Sequence, residues 1–320
     1  MARRKNIIAE PQPQDTSLPR LTLEEAEKLF LQDCKIRNLS DHTLKYYRLE
    51  LRMVRRFLEE GTGQEDAAQI TRADIRNHII LRMMDEEKKE TSINSRLRAA
   101  RALFNFLEKE GYLPHNPMED VKLVKEKKNV IETFSTDQIR MLLRTPNRET
   151  FTGLRDFTMM MLMLETGIRL KELCGIKTHH VNIDDGYVRI TEGKGYKERT
   201  VPIQKSMRKQ LATYMRVRGE LHHDFLFVNI DNEPIAPRQV QNRIHQYGKQ
   251  AGIKNVRCSP HTFRHTFAKL SVQNGANVFE LQAMLGHTSL EMVRRYVNLF
   301  STDVAAGHAK FSPIERLQVK

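Results

Sequence analysis

The chain has 320 residues, enough for two domains that each bury a core. Lys and Arg total 53 against 40 Asp and Glu, a net charge of +13 that favours a polyanionic partner and makes nucleic acid the first candidate. Cys34, Cys174 and Cys258 lie far apart with no C-x-x-C spacing, which argues against a disulfide framework or a zinc site and fits a reducing cytoplasm. The longest apolar run, "FTMMMLML" at 157 to 164, falls far short of the ~20 residues of a membrane span and reads as a buried helix.

Residues 1–20 are basic and lack the apolar stretch and cleavage site of a secretory signal, so they are expected to form a flexible basic tail. Residues 21–112 read as a compact bundle of four helices. The first opens on Thr22-x-x-Glu25, a spacing whose reciprocal side-chain bonds satisfy free backbone donors. In the second, Leu44, Tyr47, Leu51, Val54 and Leu58 recur at steps of three and four and form one apolar face, which leaves Lys45, Arg48, Arg52 and Arg55 elsewhere on the surface. "TRADIRNHIILRMM" from Thr71 makes a third helix, and Ile93, Leu97, Ala100, Phe104 and Leu107 stripe a fourth.

Pro114, Pro117 and the basic cluster Lys122, Lys125, Lys127 and Lys128 mark 113–134 as a linker. Its charge suits either a solvated segment or a strand along a phosphate backbone. A second domain, 135–300, opens on the capping pair Ser135-x-x-Gln138. "YVRIT" at 187 to 191 and "ERTVPI" at 198 to 203 flank "EGKGYK" and read as a β-hairpin with an exposed tip. Helices follow over 238–250, 262–274, 277–285 and 289–299. The fold class is therefore mainly α with a small β-sheet.

Arg169 and Arg264 each sit in an otherwise apolar helix. A guanidinium grips two phosphate oxygens at once, although either residue taken alone is more often an ion-pair partner, and Glu172 stands three residues from Arg169. His261 and His265 have a metal-like i, i+4 spacing, but the sequence places no third ligand beside them, so a zinc reading is rejected. His261 and Arg264 lie one turn apart and can face one anion, whereas His265 is expected to point elsewhere and to pack or cap. His287 follows a glycine at an expected helix start. Lys194, between Gly193 and Gly195, can act as a general acid, and spacing alone does not separate it from Lys197. Tyr296 would be a core residue on its own, but clustered arginines around a phosphate would activate its phenol as a nucleophile.

Taken together, "TGIRLKEL", "GKGYKERTVP", "HTFRH", "LGH" and "VRRYV" stand in the order of the tyrosine recombinase, or phage integrase, signature, and 135–300 resembles that family's catalytic domain. The resemblance implies a catalytic set of Arg169, Lys194, His261, Arg264, His287 and Tyr296, with Lys194 preferred to Lys197. It likens 21–112 to the SAM-like core-binding domain that clamps duplex DNA with the catalytic domain. With a short tail in place of an arm-binding domain, the chain looks closer to the two-domain Xer-type or transposon-encoded enzymes.

The implied reaction needs no metal or nucleotide cofactor. Tyr296 attacks the scissile phosphate, Lys194 protonates the leaving 5′-oxygen, Arg169, Arg264 and His287 stabilise the phosphoryl oxygens, and His261 takes the tyrosine proton. Lys45, Arg48, Arg52, Lys122, Lys125, Lys127 and Lys128 are the expected DNA contacts outside the site. The implied partners are double-stranded DNA and further copies of the chain, four on two sites, with residues 301–320 exchanged between protomers and room for a directionality factor. No membrane partner is expected. The rival readings are a DNA-binding regulator that keeps the fold without recombining and a type IB topoisomerase, with a DNA-packaging protein last.

Overall fold

A computed structural model describes residues 20–126, 131–191, 198–286 and 290–300, the side chains at 292, 295 and 298–300 excepted. The chain divides into two units, residues 1–129 and 130–320. Among the described residues, no helix is long and apolar enough to cross a membrane.

The described part of the first unit is built of helices: α1 (Leu23–Ile36), α2 (Asp41–Thr62), a composite third element and α5 (Glu90–Lys109). Thr22 caps α1 reciprocally, its hydroxyl accepting from Glu25 N (3.2 Å) while its own N–H donates to the Glu25 carboxylate (2.9 Å). The composite element runs through α3 (Arg72–Asp74), a π-helical stretch Ile75–Leu81 and α4 (Arg82–Asp85). Ile75, Ile79 and Met83 still reach the core, where they meet Phe30, Leu51, Val54, Phe57, Leu58, Leu97 and Phe104. That core is built from the apolar stripes of the sequence.

The expected linker 113–134 is divided between the units. Leu113, Met118 and Val121 are buried in the helical core of the first unit. The buried Asn94 side chain then clasps residue 124, donating to Val124 O and accepting from Val124 N, both at 2.8 Å. Phe134, by contrast, is buried in the second unit, edge-on to Phe263 at 5.1 Å.

In the second unit, α6 (Thr136–Arg144) and α7 (Phe151–Thr166) lead into the short α8 (Leu170–Gly175). Met159, Met160, Leu162 and Met163 of α7 are buried, as the Met-rich segment predicts. Three antiparallel strands follow in the order β1 (Val181–Asn182), β2 (Tyr187–Ile190) and β3 (Arg199–Pro202), with Val188 opposite Val201 and Ile190 opposite Arg199. The hairpin strands fall where the sequence puts them, while β1 and helix α9 (Lys205–Arg218) were not foreseen. The helices α10 (Pro237–Gln250), α11 (Pro260–Gln273), α12 (Val278–Leu285) and α13 (Leu290–Phe300) complete the unit. A buried polar network ties α7 to α10. Asp156 accepts from Arg155 Nη2 (2.7 Å), Arg243 Nε (2.7 Å) and Tyr247 Oη (2.8 Å), so its charge is compensated on both oxygens.

Candidate active site

Three consecutive carbonyls organise the centre of the second unit. The last carbonyls of a helix lack helical partners and carry the negative end of its dipole. At the end of α12, Met284 O accepts from Arg199 Nε (3.1 Å), Leu285 O from Arg264 Nη2 (2.8 Å) and Gly286 O from Arg169 Nη2 (3.0 Å). Gly286 closes α12 in the left-handed conformation (φ +62), and a Cβ there would stand 2.8 Å from Arg199 Nη1. Conformation and space both call for glycine.

The same logic explains the glycine before Arg169. Gly167 ends α7 at φ +60, where a Cβ would lie 2.4 Å from the Phe267 ring and 2.8 Å from Leu285. Arg169 then caps α8, its N–H donating to Glu172 Oε2 (2.8 Å) and its Nη1 to Glu172 Oε1 (2.8 Å). Arg199, reaching in from β3, donates to both oxygens of the same carboxylate at 2.9 and 2.7 Å. Burial of Glu172 pushes its carboxyl up, but hydrogen bonds and charge from Arg199, then Arg169, outweigh it and hold the group down at about 2.

Arg264 enters from α11, buried, and donates through Nη1 to Gly167 O at 2.6 Å. Burial first, and the neighbouring charge of Arg169 second, bring its guanidinium down to about 10, so it remains a cation at neutral pH. Two guanidinia fixed to adjacent carbonyls repel each other. A tetrahedral oxyanion bound by both would relieve that repulsion and accept bidentate hydrogen bonds.

Tyr296 lies on α13, 5% exposed, against Phe267, Ala268, Leu281, Leu285 and Val293. Its Oη is 2.7 Å from His265 Nδ1. His265 thus faces Tyr296, a partner that its position one residue beyond Arg264 does not announce. α13 packs beside α11, and the side of α11 that it meets carries His265. His261, one turn earlier, is exposed, with its ring stacked 6.4 Å from that of His265. The structure thus gathers Arg169, Arg264 and Tyr296 around α11 and α12, and it adds Arg199, Glu172 and His265. Lys194, Lys197 and His287 lie outside the described residues.

Arg199 and His265 were missed for different reasons. "ERTVPI" reads as a strand in which an arginine is unremarkable, and a helical histidine at i+4 from His261 looks like packing. The available signal for Arg199 was the alternation of β3, which turns Val201 into the core and places Arg199 on the same side.

Among the expected DNA contacts, Lys45, Arg48 and Arg52 are exposed at i, i+3 and i+7 along one face of α2, with no ion pair to a described residue. Arg55, by contrast, is taken up by Glu24, Glu27 and Glu59. Lys122 and Lys125 are exposed on either side of the Asn94 clasp, while Lys127 and Lys128 lie outside the described residues.

The chain matches the model of the phage integrase family over residues 132–302 and that of the phage integrase N-terminal SAM-like domain over 28–111. It is 28% identical over 285 residues to a tyrosine recombinase XerC of Thermodesulfovibrio yellowstonii, covering 87% of this chain and 92% of the relative. It is 27% identical over 283 residues to a tyrosine recombinase XerD of Listeria monocytogenes, covering 87% and 94%. Two solved structures share its fold. One is a lambda integrase tetramer bound to a Holliday junction (TM-score 0.74, 18% identity, 89% of this chain and 80% of that one). The other is the Tn1549 transposon integrase with transposon right end DNA (TM-score 0.72, 18% identity, 93% and 100%).

Proposed function

The chain belongs to the phage integrase family and is a site-specific tyrosine recombinase, and from that premise we propose how its residues divide the work. Tyr296 Oη attacks the scissile phosphorus. The bond to the 5′-oxygen breaks, leaving a 3′-phosphotyrosyl ester and a 5′-hydroxyl, and attack by a 5′-hydroxyl of the partner duplex reverses the step with exchanged strands. Arg169 and Arg264 hold the non-bridging oxygens and stabilise the charge of the pentavalent transition state. The observation that carries this reading is the anchoring of both guanidinia on the successive carbonyls of Leu285 and Gly286.

Glu172 and Arg199 are positioning residues in this scheme. They fix Arg169 and the end of α12 without touching the phosphate. His265 is the better-supported proton acceptor for Tyr296, because its Nδ1 already lies within hydrogen-bond reach of the phenol, whereas His261 is left to contact the phosphate from the exposed end of α11. Lys194 as general acid and His287 as a further donor rest on the motif order alone.

The substrate proposed is duplex DNA, contacted by Lys45, Arg48, Arg52, Lys122 and Lys125 and acted on by four protomers on two sites. Support comes from the charge of +13 and from the junction-bound tetramer among the fold neighbours. Action in the cytoplasm, service to a mobile element and a directionality factor belong to the same proposal. A nicked suicide substrate, which traps the covalent complex, is the direct test. Tyr296→Phe should bind this DNA with nearly unchanged affinity and form no covalent adduct, and an adduct formed by the Phe variant would overturn the assignment.

A further inference from the structure

Away from these groups, one set of metal-ligating side chains comes together among the described residues. His222, His223 and Glu233 each bring one ligand atom within 4.8 Å of the others. The two histidines sit on the loop after α9, and Glu233 sits on a tight turn that follows Val228.

Both backbones are fixed. The buried Arg218 donates to Gly219 O (2.8 Å), His223 O (2.8 Å) and Phe225 O (3.0 Å), which sets the course of the loop. The Asn229 carboxamide oxygen accepts from Asp231 N and Glu233 N at 2.8 and 2.9 Å, and Asn229 N donates to Glu233 O at 2.8 Å. Asn232 takes the left-handed conformation (φ +61) that closes the turn.

The state of His223 follows from its contacts. Its Nε2 lies 2.8 Å from Asn232 O, and a carbonyl only accepts, so Nε2 carries a proton and, in the neutral ring, the lone pair falls to Nδ1. That Nδ1 is buried and has no hydrogen-bond partner among the described residues. A backbone carbonyl that holds one ring nitrogen and leaves the other as a lone-pair donor is the outer contact found behind metal-bound imidazoles. Nearby Asp224 is engaged elsewhere, by Lys177 Nζ (2.6 Å) and His179 Nδ1 (3.1 Å). His222 and His223 also line a cleft of about 670 Å³.

We infer that His222, His223 and Glu233 form a site for a divalent transition ion of the zinc class, which braces the loop after α9 against the 229–233 turn. Two imidazoles and one carboxylate suit zinc with water completing the coordination, and they suit magnesium or calcium poorly, because those ions take all-oxygen sites. The ion has no part in strand transfer and leaves the cofactor-free reaction as proposed.

Titration calorimetry of Zn2+ into the full chain, free of any polyhistidine tag and with Mg2+ as control, is the test. The expected result is one equivalent of Zn2+ per chain, no saturable Mg2+ binding, and a rise in melting temperature on adding Zn2+. Glu233→Gln and His222→Ala should each weaken Zn2+ by about tenfold or more, the loss typical of a disturbed metal site, and abolish the thermal shift. Both positions are exposed, so a metal-free melting curve equal to the parent's shows that each variant is folded. Unchanged Zn2+ affinity in the two folded variants, or no saturable Zn2+ binding by the parent at millimolar concentration, overturns the site.

Discussion

At the scale of single residues, the proposal turns on which histidine serves Tyr296. His265→Ala should lower single-turnover cleavage of the suicide substrate by about 10²-fold or more, the usual contribution of a positioned base, with DNA affinity unchanged. An equal loss of binding and cleavage would make His265 a packing residue, and a full effect in His261→Ala with none in His265→Ala would return the role to His261. Glu172 supports a separate expectation. Its folded carboxyl is held at about 2 against an ordinary 4.5, so its ionised form stabilises the fold above pH 4.5, and this contribution is lost as pH falls from about 4.5 towards 2. The loss is on the order of 3 kcal/mol. Denaturant unfolding at pH 5, 4 and 3 should show this decline in the parent and a flatter profile in Glu172→Gln, which starts less stable because two arginines lose their counter-charge.

At the scale of elements, the clasp between α5 and residue 124 is open to test. Asn94 reads the backbone of Val124 as a neighbouring strand would, and it is 1% exposed. Asn94→Ala leaves the amide and carbonyl of Val124 without this partner, and about 1–3 kcal/mol of stability in the first unit should be lost. If Lys122 and Lys125 contact the phosphate backbone from this clasped segment, the variant should also bind DNA more weakly, with a shallower dependence of affinity on salt. A stability loss with an unchanged salt slope would remove those two lysines from the proposed interface.

At the scale of the whole molecule, the proposed reaction places four protomers on two sites, and the segment after Phe300 is the proposed link between them. Its sequence, "STDVAAGHAKFSPIERLQVK", carries Val304, Ala305, Phe311 and Ile314, apolar side chains that docking on a neighbouring protomer would take out of water. Truncation after Phe300 should leave a folded protein that binds one DNA site but fails to pair two. Native gel shifts with one-site and two-site DNA, alongside a melting curve, separate this outcome from loss of stability in a chain whose tail packs on its own domain.

The sequence alone determined the helical stripes, the hairpin strands and the order of the recombinase motifs. Those are local properties: periodicity follows from the pitch of a helix or the alternation of a strand. Leu51, Val54 and Leu58 are buried as their spacing predicts. Tertiary structure decided what the motifs do to one another. Only the approach of α11, β3 and α8 to the end of α12 shows that Arg264, Arg199 and Arg169 share three successive carbonyls, because the partners are backbone atoms that any residue supplies. Only the packing of α13 beside α11 puts Tyr296 against His265, 31 positions away in sequence. A contact between distant elements depends on how helices seat their side chains, and no period within either helix encodes that seating.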